Sequence, residues 1–217
     1  MAKVPEAGKV KTRLQPFLTP EQSAKFADCL LQDTIGKAKS LENKLIVAYS
    51  PPEQWDYFDR FHNLNLIAQD GKDLGERMFN AFKFAVRKDS DSIVMIGTDS
   101  PTLPPTFIEK AFEYLEKTDA VLGKTEDGGF YLIGLRKLDL KIFADVEWSS
   151  EKTFEQTKRN LEKLGFSLAE LPIWYDVDEP KDLERLKQDD LLQQFAPKTV
   201  EWITTNSQFH HLEVDDD

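Results

Sequence analysis

Residues 92–101, SIVMIGTDSP, decide the fold class of this chain. Their centre, IVMI, is apolar without alternation, a pattern typical of a parallel strand that is covered on both faces by helices. Asp99 follows the strand closely, and in such sheets ligands bind beyond the carboxyl ends of the strands. We therefore predict an α/β sheet with a ligand site that begins at Asp99.

The segments on either side alternate between helix and strand patterns. Helical spacing is found at residues 20–40, 74–87, 104–117, 151–164 and 180–187. Strand patterns occupy residues 44–49, 64–68, 120–124, 130–135 and 167–171. This alternation predicts a single-domain, Rossmann-like, mainly parallel sheet with helices on both faces, over residues 1–188. Residues 189–217 carry seven acidic residues against one lysine, and we interpret them as an acidic C-terminal tail with loose order.

Composition excludes several classes of partner. The formal net charge of −11 argues against nucleic-acid or anionic-membrane binding, because both need a positive surface. No apolar run approaches the roughly 20 residues that span a bilayer. The single cysteine, Cys29, cannot form an intramolecular disulfide, so the chain is expected to be cytoplasmic. A small phosphorylated ligand remains possible where positive charge is concentrated.

Positive charge is concentrated in residues 3–13, KVPEAGKVKTR, with Gly8 as a turn residue. Arginine offers a planar set of donors for phosphate oxygens and lysine a compact charge, so Lys3, Lys11 and Arg13, with Gly8 in the same loop, are candidate nucleotide-binding residues. Lys11, Arg13 and Asp99 are also candidate catalytic residues, and Asp99 is a further candidate nucleotide-binding residue. A solvated basic segment without a ligand explains the composition equally well.

Three aspartates are candidate metal ligands. Asp99 follows the buried strand, and Mg²⁺ or Mn²⁺ in such sites takes one or two carboxylates together with phosphate oxygens. Asp176 and Asp178 are two residues apart, so on an extended chain they face the same side. Asp178 could instead cap the helix that Pro180 opens, and Asp99 could form a turn.

Four residues are candidates for binding the substrate. Asp127 could accept from sugar hydroxyls, while Gly128 and Gly129 would allow a ligand to approach the backbone. A tight turn explains the glycines as well. Trp148 could line the pocket, although tryptophan is more often a core residue. Arg77, at the start of a predicted helix, is a further candidate nucleotide-binding residue or a surface ion-pair partner.

Six segments carry a resemblance to a known family: AKVPEAGKVKTRL, DLGERM, IGTDSP, DGGFYLIGLR, EWSS and DVDEPKDL. Over about residues 1–188 the chain resembles GT-A-fold nucleotide-diphospho-sugar transferases, described as selenodomain-associated or arsenosugar-biosynthesis glycosyltransferases. These are related to the molybdopterin-cofactor and phospholactate guanylyltransferases. The resemblance implies a nucleotide-binding GT-A sheet, with Asp99 as a metal ligand and a metal role for Asp176 and Asp178. The sequence lacks the apolar first strand that usually precedes the AKxPxxG segment, so we predict that this strand is missing.

Three hypotheses of function follow from these observations. The first is metal-dependent glycosyl transfer from a nucleotide-diphosphate sugar to an unknown small acceptor, with Mg²⁺ or Mn²⁺ as cofactor. The second is nucleotidyl transfer from a nucleoside triphosphate to a phosphorylated acceptor, with release of pyrophosphate. The third, suggested by the missing first strand, is a truncated, non-catalytic nucleotide-binding protein. The sequence does not predict the oligomeric state.

Overall fold

The computed structural model describes residues 1–15, 17–86 and 91–206. Its backbone packing forms two compact units. The first unit consists of Met1–Val4, Leu41–Gly97 and Pro105–Tyr175. The second consists of Pro5–Ser40, Thr98–Pro104 and the residues from Asp176 onward. The domain boundary expected at residue 188 stays a prediction.

The described residues form strands and helices in alternation. The strands are β1 (Ala2–Lys3), β2 (Ile46–Ser50), β3 (Asn65–Ala68), β4 (Ile93–Ile96), β5 (Ala120–Thr125), β6 (Phe130–Leu135) and β7 (Leu168–Trp174). The helices are α1 (Pro20–Ser40), α2 (Leu74–Val86), α3 (Pro105–Leu115), α4 (Thr153–Lys163), α5 (Pro180–Gln188), α6 (Leu192–Phe195) and α7 (Pro197–Thr205). Arg87, where the second predicted helix ends, lies outside the described residues. No helix in the described part of the chain is long and apolar enough to cross a membrane.

The first unit contains two sheets. In one, β1, β2 and β3 are parallel and adjacent in that order. Where the sequence predicts a missing first strand, the structure has β1, which is only two residues long. The amino group of Met1 donates to the carbonyl of Ile96 at 2.8 Å, which links the start of the chain to β4.

The other sheet has the strand order β4-β6-β5-β7. Strand β6 is antiparallel to both of its neighbours, whereas β5 and β7 are parallel. The four residues between β5 and β6 are too few for a crossover, so the chain returns as a hairpin. Because β4, β5 and β7 run in one direction and β1, β2 and β3 are parallel to one another, most strands are parallel, as predicted. The apolar run of β4 predicts a parallel strand that is covered on both faces, but β4 pairs antiparallel with β6 and is only half-buried.

Helices cover both faces of this second sheet. Ile133 of β6 belongs to a buried apolar cluster with Met78 of α2 and Phe154 of α4. The next residue, Gly134, points to the opposite face. A Cβ atom there would lie 3.0 Å from Leu115 of α3, so the glycine allows α3 to pack closely. The α/β class with helices on both faces is therefore confirmed.

In the second unit, α7 packs against α1. The rings of Phe26 and Trp202 lie 5.0 Å apart, and both side chains are buried. The carboxylate of Asp33 accepts from the backbone N–H of Lys198 at 2.9 Å and of Thr199 at 2.8 Å. An α1 side chain thus caps the start of α7.

This packing corrects one expectation from the sequence. The sequence predicts that residues 189–206 belong to a loosely ordered tail, yet they include α6 and α7. Buried Trp202 and Ile203 give α7 an apolar face that packs against α1, and buried Thr199 donates to Asp33 of α1. Residues 207–217, which carry part of the predicted acidic tail, lie outside the described residues.

Candidate active site

The ammonium group of Lys11 lies at the centre of an acidic cluster in the second unit. It donates to Oδ1 of Asp99, to Oδ1 of Asp178 at 2.8 Å, and to the carbonyl of Val177 at 2.8 Å. An ammonium group has three N–H donors, so all of them have acceptors. The Lys11 side chain is only 5% exposed. The structure therefore brings the predicted residues together around a buried cation.

Backbone contacts hold the two acidic segments together. The N–H of Val177, which is fully buried, donates to the carbonyl of Asp99 at 2.9 Å. The carboxylate of Asp182 accepts from the N–H groups of Asp178 at 3.0 Å and Glu179 at 2.8 Å. Glu179 is the N-cap residue of α5. The helix-capping role that the sequence allowed for Asp178 thus belongs to Glu179 and Asp182, and the Asp178 side chain contacts Lys11 instead.

Asp176 has a different environment from the other two aspartates. The hydroxyl of Ser100 donates to Oδ1 of Asp176. Burial, together with the neighbouring Asp99 carboxylate, raises the pKa of Asp176 to about 7, although the Ser100 hydrogen bond acts in the opposite direction. Asp176 is therefore a carboxyl of this cluster whose protonation changes near neutral pH.

Lys11 and Asp178 stabilise each other in their charged forms. Burial acts to lower the pKa of Lys11, but the carboxylates of Asp99 and Asp178 more than offset it, so this pKa is raised. Burial acts to raise the pKa of Asp178, but Lys11 and Arg13 more than offset it, so this pKa is lowered. At neutral pH the pair is an ammonium and a carboxylate.

The basic loop has a conformation that separates its cations. Gly8 has φ of +78° and open space where a side chain would begin, and Lys11 itself has φ of 46°. The ammonium of Lys9 is 2.7 Å from the Glu6 carboxylate at the surface. Arg13 is exposed and interacts electrostatically with Asp178. Of the predicted nucleotide-binding residues, Lys11 is thus buried in the acidic cluster, while Arg13 is open to solvent.

Two contacts of this site were missed at the sequence level. The hydroxyl of Ser100 holds Asp176, and its position beside Asp99 in the sequence could have suggested a role. The ammonium of Lys37, which is buried on α1, donates to the carbonyl of Pro101 at 2.7 Å. No sequence signal distinguishes Lys37 from other helical lysines, because only the fold places it beside the loop that carries Asp99.

The remaining candidates lie in the first unit. They are Lys3, Arg77, Asp127, Gly128, Gly129 and Trp148. Lys3 is exposed in β1. The Nε of Arg77 donates to the carbonyl of Gly71 at 3.2 Å, which braces the loop before α2. Nucleotide binding by Lys3 and Arg77 stays a prediction.

The Asp127 segment forms the tight turn between β5 and β6. Oδ1 of Asp127 accepts from the Thr125 hydroxyl at 2.5 Å and from the Gly129 N–H at 3.1 Å. Gly128 has φ of +90°, and a Cβ atom there would lie 2.2 Å from the carbonyl oxygen of Glu151. The turn alone accounts for these residue types, and their predicted substrate contacts are untested.

Trp148 packs against the apolar core of the first unit. Its ring lies 6.5 Å from that of Phe130 in an edge-on arrangement and 6.4 Å from that of Phe143. A Cβ atom on Gly75 would lie 2.7 Å from the indole, so this glycine gives α2 room beside the ring. Trp148 has a structural role here, and its predicted contact with the substrate is untested.

The acidic cluster has the chemistry of a divalent-cation site that is completed by a ligand. Among the described residues, no group of three or more acidic, histidine or cysteine side chains is arranged to hold a metal ion by itself. Asp99 and Asp178 contact the same nitrogen atom, so their carboxylates lie side by side, and the side chains are 44% and 38% exposed. Mg²⁺ typically takes one or two carboxylates and completes its shell with waters and phosphate oxygens. The pair fits that type of site.

The strands and helices define an α/β protein, and its fold is similar to that of GT-A-like transferases. The chain belongs to the family described as "Uncharacterized protein conserved in bacteria (DUF2064)", whose profile matches residues 33–150, more than half of the chain.

Two relatives and one solved structure that are similar to this chain are described as transferases. A 2-phospho-L-lactate guanylyltransferase of Methanobrevibacter ruminantium is 22% identical over 72% of this chain and 70% of its own. That of Methanocaldococcus jannaschii is 28% identical over 80% and 75%. A solved structure from Desulfovibrio desulfuricans G20, described as a nucleotide-diphospho-sugar transferase, has 29% identity and a TM-score of 0.88, over 98% of this chain and 96% of that one. The predicted family resemblance is confirmed, and these relatives are named transferases, the class that the sequence predicts.

Proposed function

We propose that this protein is a nucleotidyltransferase that uses a nucleoside triphosphate and a phosphorylated acceptor. The observation that carries the proposal is the side-by-side pair of Asp99 and Asp178 carboxylates with the exposed Arg13 nearby. Such a pair would hold a divalent cation that neutralises charge on the triphosphate, and an arginine suits phosphate oxygens. The relatives named 2-phospho-L-lactate guanylyltransferase support guanylyl transfer in particular.

In the proposed reaction, an oxygen of the acceptor's phosphate attacks the α-phosphorus of the triphosphate. A new phosphorus–oxygen bond forms, the bond from the α-phosphorus to the bridging oxygen of the β-phosphate breaks, and pyrophosphate leaves with that electron pair. No protein nucleophile is needed, because positioning and electrostatic stabilisation carry this type of chemistry.

The residues of the second unit have distinct parts in this proposal. Asp99 and Asp178 would hold Mg²⁺ or Mn²⁺, which when bound would neutralise charge on the triphosphate. Arg13 would donate to phosphate oxygens and stabilise the charge that develops on pyrophosphate. Asp176, held by Ser100, lies beside the pair and would contribute a further oxygen ligand or hydrogen bond.

The experiment is a pyrophosphate-release assay of the purified chain with Mg²⁺. It would pair each of GTP, CTP, UTP and ATP with 2-phospho-L-lactate and with other small phosphomonoesters. We expect one nucleotide to support release that depends on both the metal and the acceptor. Asp99→Asn should abolish it, whereas the matched control Asp59→Asn, an exposed residue on the surface of the first unit, should leave it unchanged.

Two results would count against the proposal. Release without any acceptor would indicate hydrolysis of the triphosphate. Equal activity of the Asp99→Asn and wild-type proteins would remove the acidic pair from the reaction.

Glycosyl transfer from a nucleotide-diphosphate sugar is the second candidate. The likeness to the Desulfovibrio desulfuricans structure favours it, because that protein is described as a nucleotide-diphospho-sugar transferase. The same acidic pair would then hold the metal against a diphosphate. Metal-dependent turnover of a nucleotide sugar that yields the nucleoside diphosphate without pyrophosphate would support this candidate over nucleotidyl transfer.

A further inference from the structure

We propose that Lys11 and the divalent cation compete for the same two carboxylates, so that Lys11 leaves Asp99 and Asp178 when the metal and nucleotide bind. The inference rests on the proposed function in one respect: it takes Asp99 and Asp178 as the metal-holding pair. It concerns Lys11, whose predicted role was direct contact with phosphate.

Lys11 already acts as the cation of this site. Its ammonium uses all three of its donors on Asp99, Asp178 and the carbonyl of Val177. These are oxygen atoms, which are also the ligands that Mg²⁺ prefers. Asp99 and Asp178 would hold a divalent cation with the same carboxylates that now bind the Lys11 ammonium, and two cations cannot occupy one position.

The displaced ammonium of Lys11 needs new partners. A buried ammonium that lost both carboxylates would be an uncompensated charge, which is strongly unfavourable. The incoming triphosphate supplies new acceptors, so the exchange replaces carboxylate oxygens with phosphate oxygens. This reconciles the buried position of Lys11 with the phosphate role that its basic loop predicts.

The loop that carries Lys11 has a conformation from which movement is feasible. Lys11 is a non-glycine residue with φ of 46°, a region that costs energy unless contacts over-determine it. Its ammonium group supplies three such contacts. Gly8, with φ of +78° and open space beside its Cα, provides a permissive point in the same loop.

The test measures Mn²⁺ affinity without nucleotide, by electron paramagnetic resonance of free Mn²⁺, for the wild-type, Lys11→Met and Lys9→Met proteins. Removing a competing charge a few ångströms from the metal should tighten binding by about tenfold or more in Lys11→Met. Lys9→Met removes the same charge from the same loop, but Lys9 pairs with Glu6 at the surface. The Mn²⁺ affinity of the Lys9→Met protein should therefore differ from that of the wild type by less than about twofold. Weaker or unchanged binding in Lys11→Met, with the fold intact by circular dichroism, would overturn the proposal.

A second measurement follows the wild-type chain and needs the conservative variant Lys11→Arg only to assign one resonance. A buried, ion-paired ammonium exchanges its protons slowly and gives a resonance in heteronuclear NMR, which Lys11→Arg would assign by its loss. We expect saturating Mg²⁺ with a non-hydrolysable nucleotide to shift or remove that resonance. A resonance that stays unchanged while the metal and nucleotide bind would overturn the proposal.

These readouts separate the two proposals. Competition without pyrophosphate release would keep the inference and reject nucleotidyl transfer. Pyrophosphate release with an undisturbed Lys11 resonance would do the reverse.

Discussion

The carboxylate of Asp33 and the hydroxyl of Thr199 lie 2.7 Å apart, although 166 positions separate them in the sequence. Both residues are buried, and the same carboxylate accepts from two backbone N–H groups at the start of α7. A single side chain of α1 therefore accepts hydrogen bonds from the backbone N–H groups at the start of α7. This relationship explains why α7 (Pro197–Thr205) is helical and packed against α1.

Asp33→Ala should destabilise the second unit by roughly 2–4 kcal/mol, because it removes a helix cap and leaves buried donors without an acceptor. Urea unfolding followed by far-ultraviolet circular dichroism would measure the loss. Glu201→Ala is the control, since Glu201 is an exposed residue of α7 that pairs with Lys198 at the surface. It should change the free energy of unfolding by less than about 0.5 kcal/mol. Equal effects of the two changes would contradict the capping account.

Lys37 should make stability depend on pH in the alkaline range. Burial lowers its pKa to about 8, although Asp33 acts to raise it. Between about pH 8 and the ordinary lysine pKa near 10.4, the unfolded chain binds more protons than the folded one, so this residue's contribution to stability rises with pH. Below about pH 8 both states carry the charge, and the burial penalty is constant.

Lys37→Met should remove the pH dependence of stability that Lys37 causes. The free energy of unfolding of the wild type relative to Lys37→Met should increase by up to about 3 kcal/mol between about pH 7 and pH 10.5. Urea titrations at several pH values would follow it, with the exposed Lys39→Met as the comparison. A difference between wild type and Lys37→Met that is flat with pH would show that the Lys37 pKa is not lowered.

The turn between β5 and β6 requires glycine at position 128. Gly128→Ala adds a Cβ atom 2.2 Å from the backbone oxygen of Glu151 at a residue with φ of +90°. Gly165→Ala is the matched change, because Gly165 has φ of +72° and no atom within 4 Å of the added Cβ. Both substitutions strain the backbone, but only the first also clashes, so it should cost about 1–3 kcal/mol more. Similar unfolding free energies for the two variants would mean that the turn moves to relieve the clash.

The sequence predicts a helix or strand of the fold where the signal for that element lies in neighbouring residues. The Pro20 start of α1 is a local signal that the structure confirms. The apolar run of β4 does form a strand, but the strand pairs antiparallel with β6 and is only half-buried, so the prediction of a parallel strand covered on both faces was wrong. Helix α7 was missed because its stabilising partner is Asp33, far away in the sequence. Strand β6 is predicted as a strand, but its antiparallel direction follows from the short turn at Gly128 and Gly129, whereas the alternation of helices and strands points to parallel neighbours.

The sequence predicts which residues form the site but not how their side chains contact one another. The position of Asp99 after a strand, and the spacing of Asp176 and Asp178 together with the family resemblance, predict these residues, and the structure brings them together. Lys11 was assigned to phosphate because charge type was the only information in the sequence. Its burial among carboxylates depends on the backbone bond from Val177 to Asp99, a long-range contact that no local pattern encodes.

The most direct test of nucleotidyl transfer is phosphorus NMR of a reaction of wild-type protein with Mg²⁺, the preferred triphosphate and its phosphorylated acceptor. We predict resonances of free pyrophosphate and of a new diphosphate linkage in equal amounts, both lost with Asp99→Asn. Formation of a nucleoside diphosphate and inorganic phosphate, or an unchanged triphosphate with every acceptor, would contradict nucleotidyl transfer.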